Sequence, residues 1–142
     1  LTASNELEVA YNAVKKIQKF VIMVILPIFI IVGSTSFYWL KIIFDPTYAN
    51  YWYVLLIYII VHIIAISYTT IHPLFVSMGK VKEDFAYVLI TNILYFIVSL
   101  LLVDKLGMLG IVTAYATQAF SIILLKKLNI EKEIKRKNKN EL

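Results

Sequence analysis

Four apolar stretches, each about as long as a bilayer is thick, most constrain what this chain can become. They run Ile17–Ile43, Trp52–Met78, Phe85–Val103 and Leu106–Leu125, and about 20 residues at 1.5 Å rise cross the hydrocarbon core. In lipid a backbone must satisfy its own N–H and C=O groups, which leaves helices as the solution for such runs. The basic residues then choose the orientation. All but Lys41 and Lys105 of the 14 Lys and Arg residues lie on alternate boundaries. Lys15, Lys16 and Lys19 precede the first stretch, Lys80 and Lys82 separate the second and third, and Lys126 to Lys139 follow the fourth. The positive-inside rule puts both termini and the middle turn in the cytoplasm. The expected fold is therefore all-α, an integral membrane chain of four transmembrane helices (about 17–43, 52–78, 85–103 and 106–125), N-in and C-in, preceded by a short amphipathic cytoplasmic helix.

Three parts follow from this reading: an amphipathic segment 1–16, a four-helix membrane segment 17–125 and a basic cytoplasmic tail 126–142. In the first, Leu7, Ala10, Tyr11, Val14 and Ile17 recur at helical spacing between Glu6, Glu8, Asn12 and Lys15. Pro27 stands inside the first stretch, where a proline is expected to kink or weaken the helix. The turn FDPTYANYWY contains Asp45-Pro46, a strong breaker, and its Tyr48, Tyr51, Trp52 and Tyr53 fit an interfacial aromatic belt. The charged tail is expected to continue helically for a few turns and then fray.

Composition removes several classes. A chain with 61% hydrophobic and 16% charged residues is not a soluble domain. The net charge of +5 sits against span ends, where anionic headgroups account for it, and no basic, aromatic-interleaved motif points to nucleic acid. Cysteine is absent, so no disulfide framework or thiol chemistry enters. His62 and His72 lack the i, i+4 spacing of a helical metal pair, so neither a metal nor another cofactor is expected. No nucleophile–base–acid constellation is legible, and the chain is not expected to be an enzyme. Asp45, Glu83, Asp84 and Asp104 fall at span ends and are expected to be solvated.

The polar residues within the spans form stripes. On the second, Tyr51, Tyr58, Thr69, Pro73 and Ser77 fall with His62 in a sector of roughly 100°. On the third, Tyr87, Thr91, Tyr95 and Ser99 form an i, i+4 ladder with Asn92 beside it. On the fourth, Gly107, Gly110, Ala114, Thr117 and Ser121 form a ridge of small residues. Small residues let membrane helices approach closely, so Gly107, Gly110 and Ala114 are expected at a helix contact. The larger groups admit two readings. They either hydrogen-bond across packed helices or line a water-filled or substrate-filled cavity, and His62, Thr69, Thr91, Asn92 and Tyr95 are the candidate lining residues.

Three segments, in order and at matching intervals, resemble the C-terminal lobe of bacterial polysaccharide-unit flippases of the multidrug/oligosaccharidyl-lipid/polysaccharide exporter superfamily. FDPTYANYWYVLLI is similar to the family's turn between two spans, PLFVSMGKVKEDF to a span ending in a Gly-Lys-x-Lys turn, and LLVDKLGMLGIVTAYATQ to the start of the lobe's final helix. Leu26-Pro27 resembles the pair that opens the corresponding earlier span. Asp104 stands where the family usually has Pro. The resemblance implies a unit of a larger fold, about twelve or more spans in two pseudo-symmetric lobes around a central cavity, working by alternating access. It implies transport of a lipid-linked oligosaccharide on an undecaprenyl pyrophosphate carrier across the bacterial cytoplasmic membrane. No Lys or Arg lies in mid-span, so the contacts to the pyrophosphate are expected in further spans or partner subunits, with membrane lipids around the rest.

Two alternatives stand beside this one. A drug/cation antiporter or a lipid II flippase of the same superfamily would share the topology. A free-standing four-span scaffold or assembly protein would use the small-residue ridge to oligomerise. The opening LTASNELEVAYNAVKK has neither the basic start nor the short apolar core of a secretory signal and reads like the interior of a longer polypeptide.

Overall fold

The computed structural model describes residues 3–140, and those residues form helices and short connections with no strand among them. Helix α1 runs Ala3–Ser34, α2 Ser36–Ile43, α3 Pro46–Ala49 and α4 Trp52–Ser67. A 3₁₀ turn, Tyr68–Ile71, leads to α5 (His72–Ser77), followed by α6 (Val81–Leu106) and α7 (Met108–Asn140). Four segments are long and apolar enough to cross a membrane: Glu6–Ser34, Trp52–Ser77, Val81–Leu106 and Met108–Lys137. The all-α, four-span architecture expected from hydropathy is therefore present.

The first span differs from its expected bounds. α1 stays helical through Pro27 and stops at Ser34, and α2 continues from Ser36. Pro27 is exposed, and membrane helices tolerate such a proline. The interruption lies at Thr35 instead. Ser34 Oγ donates to the Ile30 carbonyl (2.7 Å) and Thr35 Oγ1 to those of Ile31 and Val32 (3.2 and 2.9 Å). Such bonds from side chain to backbone compete with the helical ladder and bend it. Just before the break, Gly33 brings α1 onto α4, since a Cβ there would lie 2.7 Å from Leu56 Cδ1.

The second span is also broken. Pro73 donates no N–H and its ring crowds the carbonyl four residues back, which unwinds Tyr68–Ile71 into 3₁₀ geometry. Asp45-Pro46 behaves as a helix start rather than a mere breaker. Asp45 caps α3, accepting from the Thr47 amide at 2.8 Å and from its hydroxyl, with Pro46 in the first turn. These two bonds hold the Asp45 carboxyl below its ordinary pKa.

α6 and α7 form a tight antiparallel hairpin about Gly107, whose φ of +54° favours glycine. A Cβ on Gly110 would stand 2.6 Å from the Leu102 carbonyl oxygen, so the two backbones touch there. α7 has 33 residues, a length of about 50 Å, against a hydrocarbon core of about 30 Å. It continues past Lys126 and Lys127 and stays helical to Asn140. The expected fraying of the tail is not seen in the described residues. The amphipathic start of α1 packs inward at this same end. Tyr11 joins Ile71, Leu74, Phe75 and Ile130 in a buried cluster, with Ala10 and Val14 against it.

Candidate functional site

Two polar groupings stand out, one within the spans and one at the end where α1 begins and α7 projects. The first is built on α4, α6 and α7. Tyr58 lies one turn before His62 on α4, and their rings stack with centroids 5.3 Å apart. Tyr115 of α7 closes the group, its hydroxyl 2.7 Å from His62 Nδ1 and its ring 5.4 Å from that of Tyr58. Tyr58 also lines an apolar cavity of about 310 Å³ with Leu40, Tyr48, Tyr51, Met108 and Val112. Further along, Gln118 of α7 donates to Asn92 Oδ1 of α6 (2.9 Å), while the Asn92 amide donates to the Val88 carbonyl.

The residues singled out for a cavity wall are not all together. His62 is half-buried in the aromatic trio. Thr69 is exposed beside the 3₁₀ turn, its hydroxyl donating to the Ile66 carbonyl. Thr91 is 1% exposed and donates within its own helix to Tyr87 and Val88 carbonyls. Asn92 is exposed beside Gln118, and Tyr95 is half-buried on α6. Of the small residues, Gly110 and Ala114 are buried, and Gly107 is exposed at the turn.

The second grouping is ionic. Asp84, in the first turn of α6, is 3% exposed. It pairs with Lys126 of α7 (Nζ to Oδ1, 2.7 Å) and with His72 Nδ1 of α5. Lys80 in the α5–α6 turn reaches Glu133 (2.8 Å), Asn129 (3.0 Å) and Glu83 (3.4 Å). Asn129 donates in turn to Glu83 and to the Tyr87 hydroxyl, both at 2.8 Å, and Arg136 braces Glu133 from one turn on (3.0 Å). Burial pushes the Lys80 ammonium down, but the hydrogen bonds and charges of Glu133 and Glu83 outweigh it and raise its pKa.

The expectation that Asp84 is solvated is thus corrected. The α6–α7 hairpin lays Lys126 against it, and both side chains are buried. Sequence spacing along one helix could not show this, because the partners come from different elements. The signal was in the hairpin, which pairs residues at similar distances on either side of Gly107. Among the described residues no group of three or more His, Asp or Glu side chains is placed to hold a metal ion. No family model, curated protein or solved structure matches the chain.

Proposed function

We propose that this chain is part of a bacterial inner-membrane flippase that moves lipid-linked oligosaccharide, carried on undecaprenyl pyrophosphate, to the outer leaflet by alternating access. The observation that carries the reading is the ordered set of three segments resembling polysaccharide-unit flippases. They fall at the three connections of the four-span unit: the Asp45-capped turn, the α5–α6 turn and the Gly107 hairpin. A second feature supports it. In the most apolar stretch of each span only 6–25% of residues are buried, so broad faces await lipid or further spans, as a lobe of a larger transporter requires. The basic end of the bundle would face the cytoplasm.

Within such a lobe, His62, Tyr95, Asn92 and Thr69 supply polar hydrogen-bonding groups suited to sugar hydroxyls. The charges that hold the pyrophosphate would come from outside these 142 residues. The test is transport by the full-length protein that contains this chain, reconstituted in vesicles loaded with a fluorescent lipid-linked oligosaccharide. Protein-dependent transfer of the sugar between leaflets is the expected result. Transfer no faster than in protein-free vesicles overturns the reading, and exchange of a cationic dye in those vesicles would favour the antiporter instead.

A further inference from the structure

Between α1 and α7, at the ionic end of the bundle, lies a half-open cavity of about 450 Å³. Lys15 and Lys19 of α1 and Lys127 of α7 edge it, and all three are exposed. None of them forms an ion pair among the described residues, whereas the neighbouring Lys80 and Lys126 are both taken up by carboxylates. Lys15 is held in place, its ammonium 4.1 Å from the centroid of the buried Tyr11 ring. Gln18, also buried, lines the wall and donates to Thr70 Oγ1 at 3.5 Å. Ile22 and Met23 continue the wall along α1 toward the apolar part of the span.

Lys15, Gln18 and Lys19 make a polar mouth, and Ile22 and Met23 an apolar wall beyond it, over about 12 Å of helix. A phospholipid presents its parts in the same order, a polar phosphate and ester first and an acyl chain after. Three unpaired cations around one opening repel each other until an anion joins them, and a zwitterionic headgroup brings no net charge. The geometry points to a binding site for an anionic phospholipid, its phosphate among Lys15, Lys19 and Lys127 and one acyl chain along Ile22 and Met23. A lipid seated there bridges the first and last spans, which a diffuse attraction to the membrane surface does not do. The inference stands apart from the transport reading, since it needs only the pairing of α1 with α7.

Native mass spectrometry of the whole chain in detergent, titrated with phosphatidylglycerol, tests it. The K15Q/K19Q/K127Q variant should lose about a hundredfold in affinity for the first lipid bound, as expected for three lysines at the membrane surface. The matching arginine triple should stay within about threefold of wild type. The tail variant K132Q/K135Q/K139Q removes equal charge, mostly beyond one Debye length of the cavity (about 10 Å), and should change binding by less than about threefold. If the glutamine triple at the cavity does not purify, Lys127→Gln alone should cost about fivefold. Equal losses in the cavity and tail variants would overturn the site, as would phosphatidylcholine binding as tightly as phosphatidylglycerol.

Discussion

Around the α5–α6 turn, charge is buried and paired: Asp84 holds Lys126 and His72, and Lys80 holds Glu133, beside a core of Tyr11, Ile71, Phe75 and Ile130. At the Gly107 end the same helices meet differently. Gly110 lies against the Leu102 backbone, and deeper in the spans single hydrogen bonds join His62 to Tyr115 and Asn92 to Gln118. Within lipid no hydrophobic force separates helix from surroundings, so close approach and isolated hydrogen bonds carry the contact. Toward the charged end of α7, beyond its apolar stretch, water is the competitor. There a covered ionic network and an apolar cluster can fix the same hairpin. The contrast sets a buried ionic contact at the charged end of the bundle against close backbone approach and single hydrogen bonds along the spans.

That contrast can be broken most severely at Asp84. Asp84→Asn leaves Lys126 buried beside a neutral amide, and loss of one partner of a buried ion pair costs about 3–5 kcal/mol. Thermal unfolding in detergent should show it, and the double variant D84N/K126M should recover most of the loss. Gly110→Val comes next, because its side chain must displace the backbone of Leu102 and Val103. Overpacking of this kind costs about 1–3 kcal/mol, read from the same melts. His62→Phe removes one hydrogen bond and leaves the half-buried Tyr115 hydroxyl without it, an effect of about 1 kcal/mol.

A pH series sharpens the comparison with the smallest change. Lys80 has a pKa raised above its ordinary 10.5 in the folded chain. Its contribution is fully present below that ordinary value and is lost as pH climbs through the raised one. Melting temperature should therefore show no pH dependence from Lys80 between neutrality and pH 10. The difference between wild type and Lys80→Gln should shrink only above that range.

Much of the fold was legible because hydropathy over 20 residues is a strong local signal. The four spans, the inward face of Leu7 and Tyr11, and the close contact at Gly110 all follow from periodicity. Two helix interruptions, at Thr35 and at Tyr68–Ile71, were not read from the sequence. Pro27 drew attention, but the helix runs through it, and the interruption falls at Thr35, where the hydroxyls of Ser34 and Thr35 bond to backbone carbonyls. Pro73 was read only as part of a polar stripe, although its missing N–H is what interrupts the second span. The ionic network was hidden more deeply. Asp84 and Lys126 each look like ordinary boundary charges, and only the hairpin register brings them together, buried. Tyr115 and Gln118, the partners of His62 and Asn92, were passed over because they lie off the small-residue ridge of α7.

The most direct test of the account asks whether the polar groups on α4–α5 and α6 face water inside a transporter. Single cysteines at Thr69, Tyr95, Phe96 and Lys82 in the full-length protein, in native membranes, would be exposed to a water-soluble maleimide. The account predicts labelling of Thr69→Cys, Tyr95→Cys and Lys82→Cys, with Phe96→Cys silent because its side chain faces the apolar surroundings. Silence at both Thr69 and Tyr95 while Lys82→Cys reacts would contradict it and leave a bundle whose polar stripes serve packing alone.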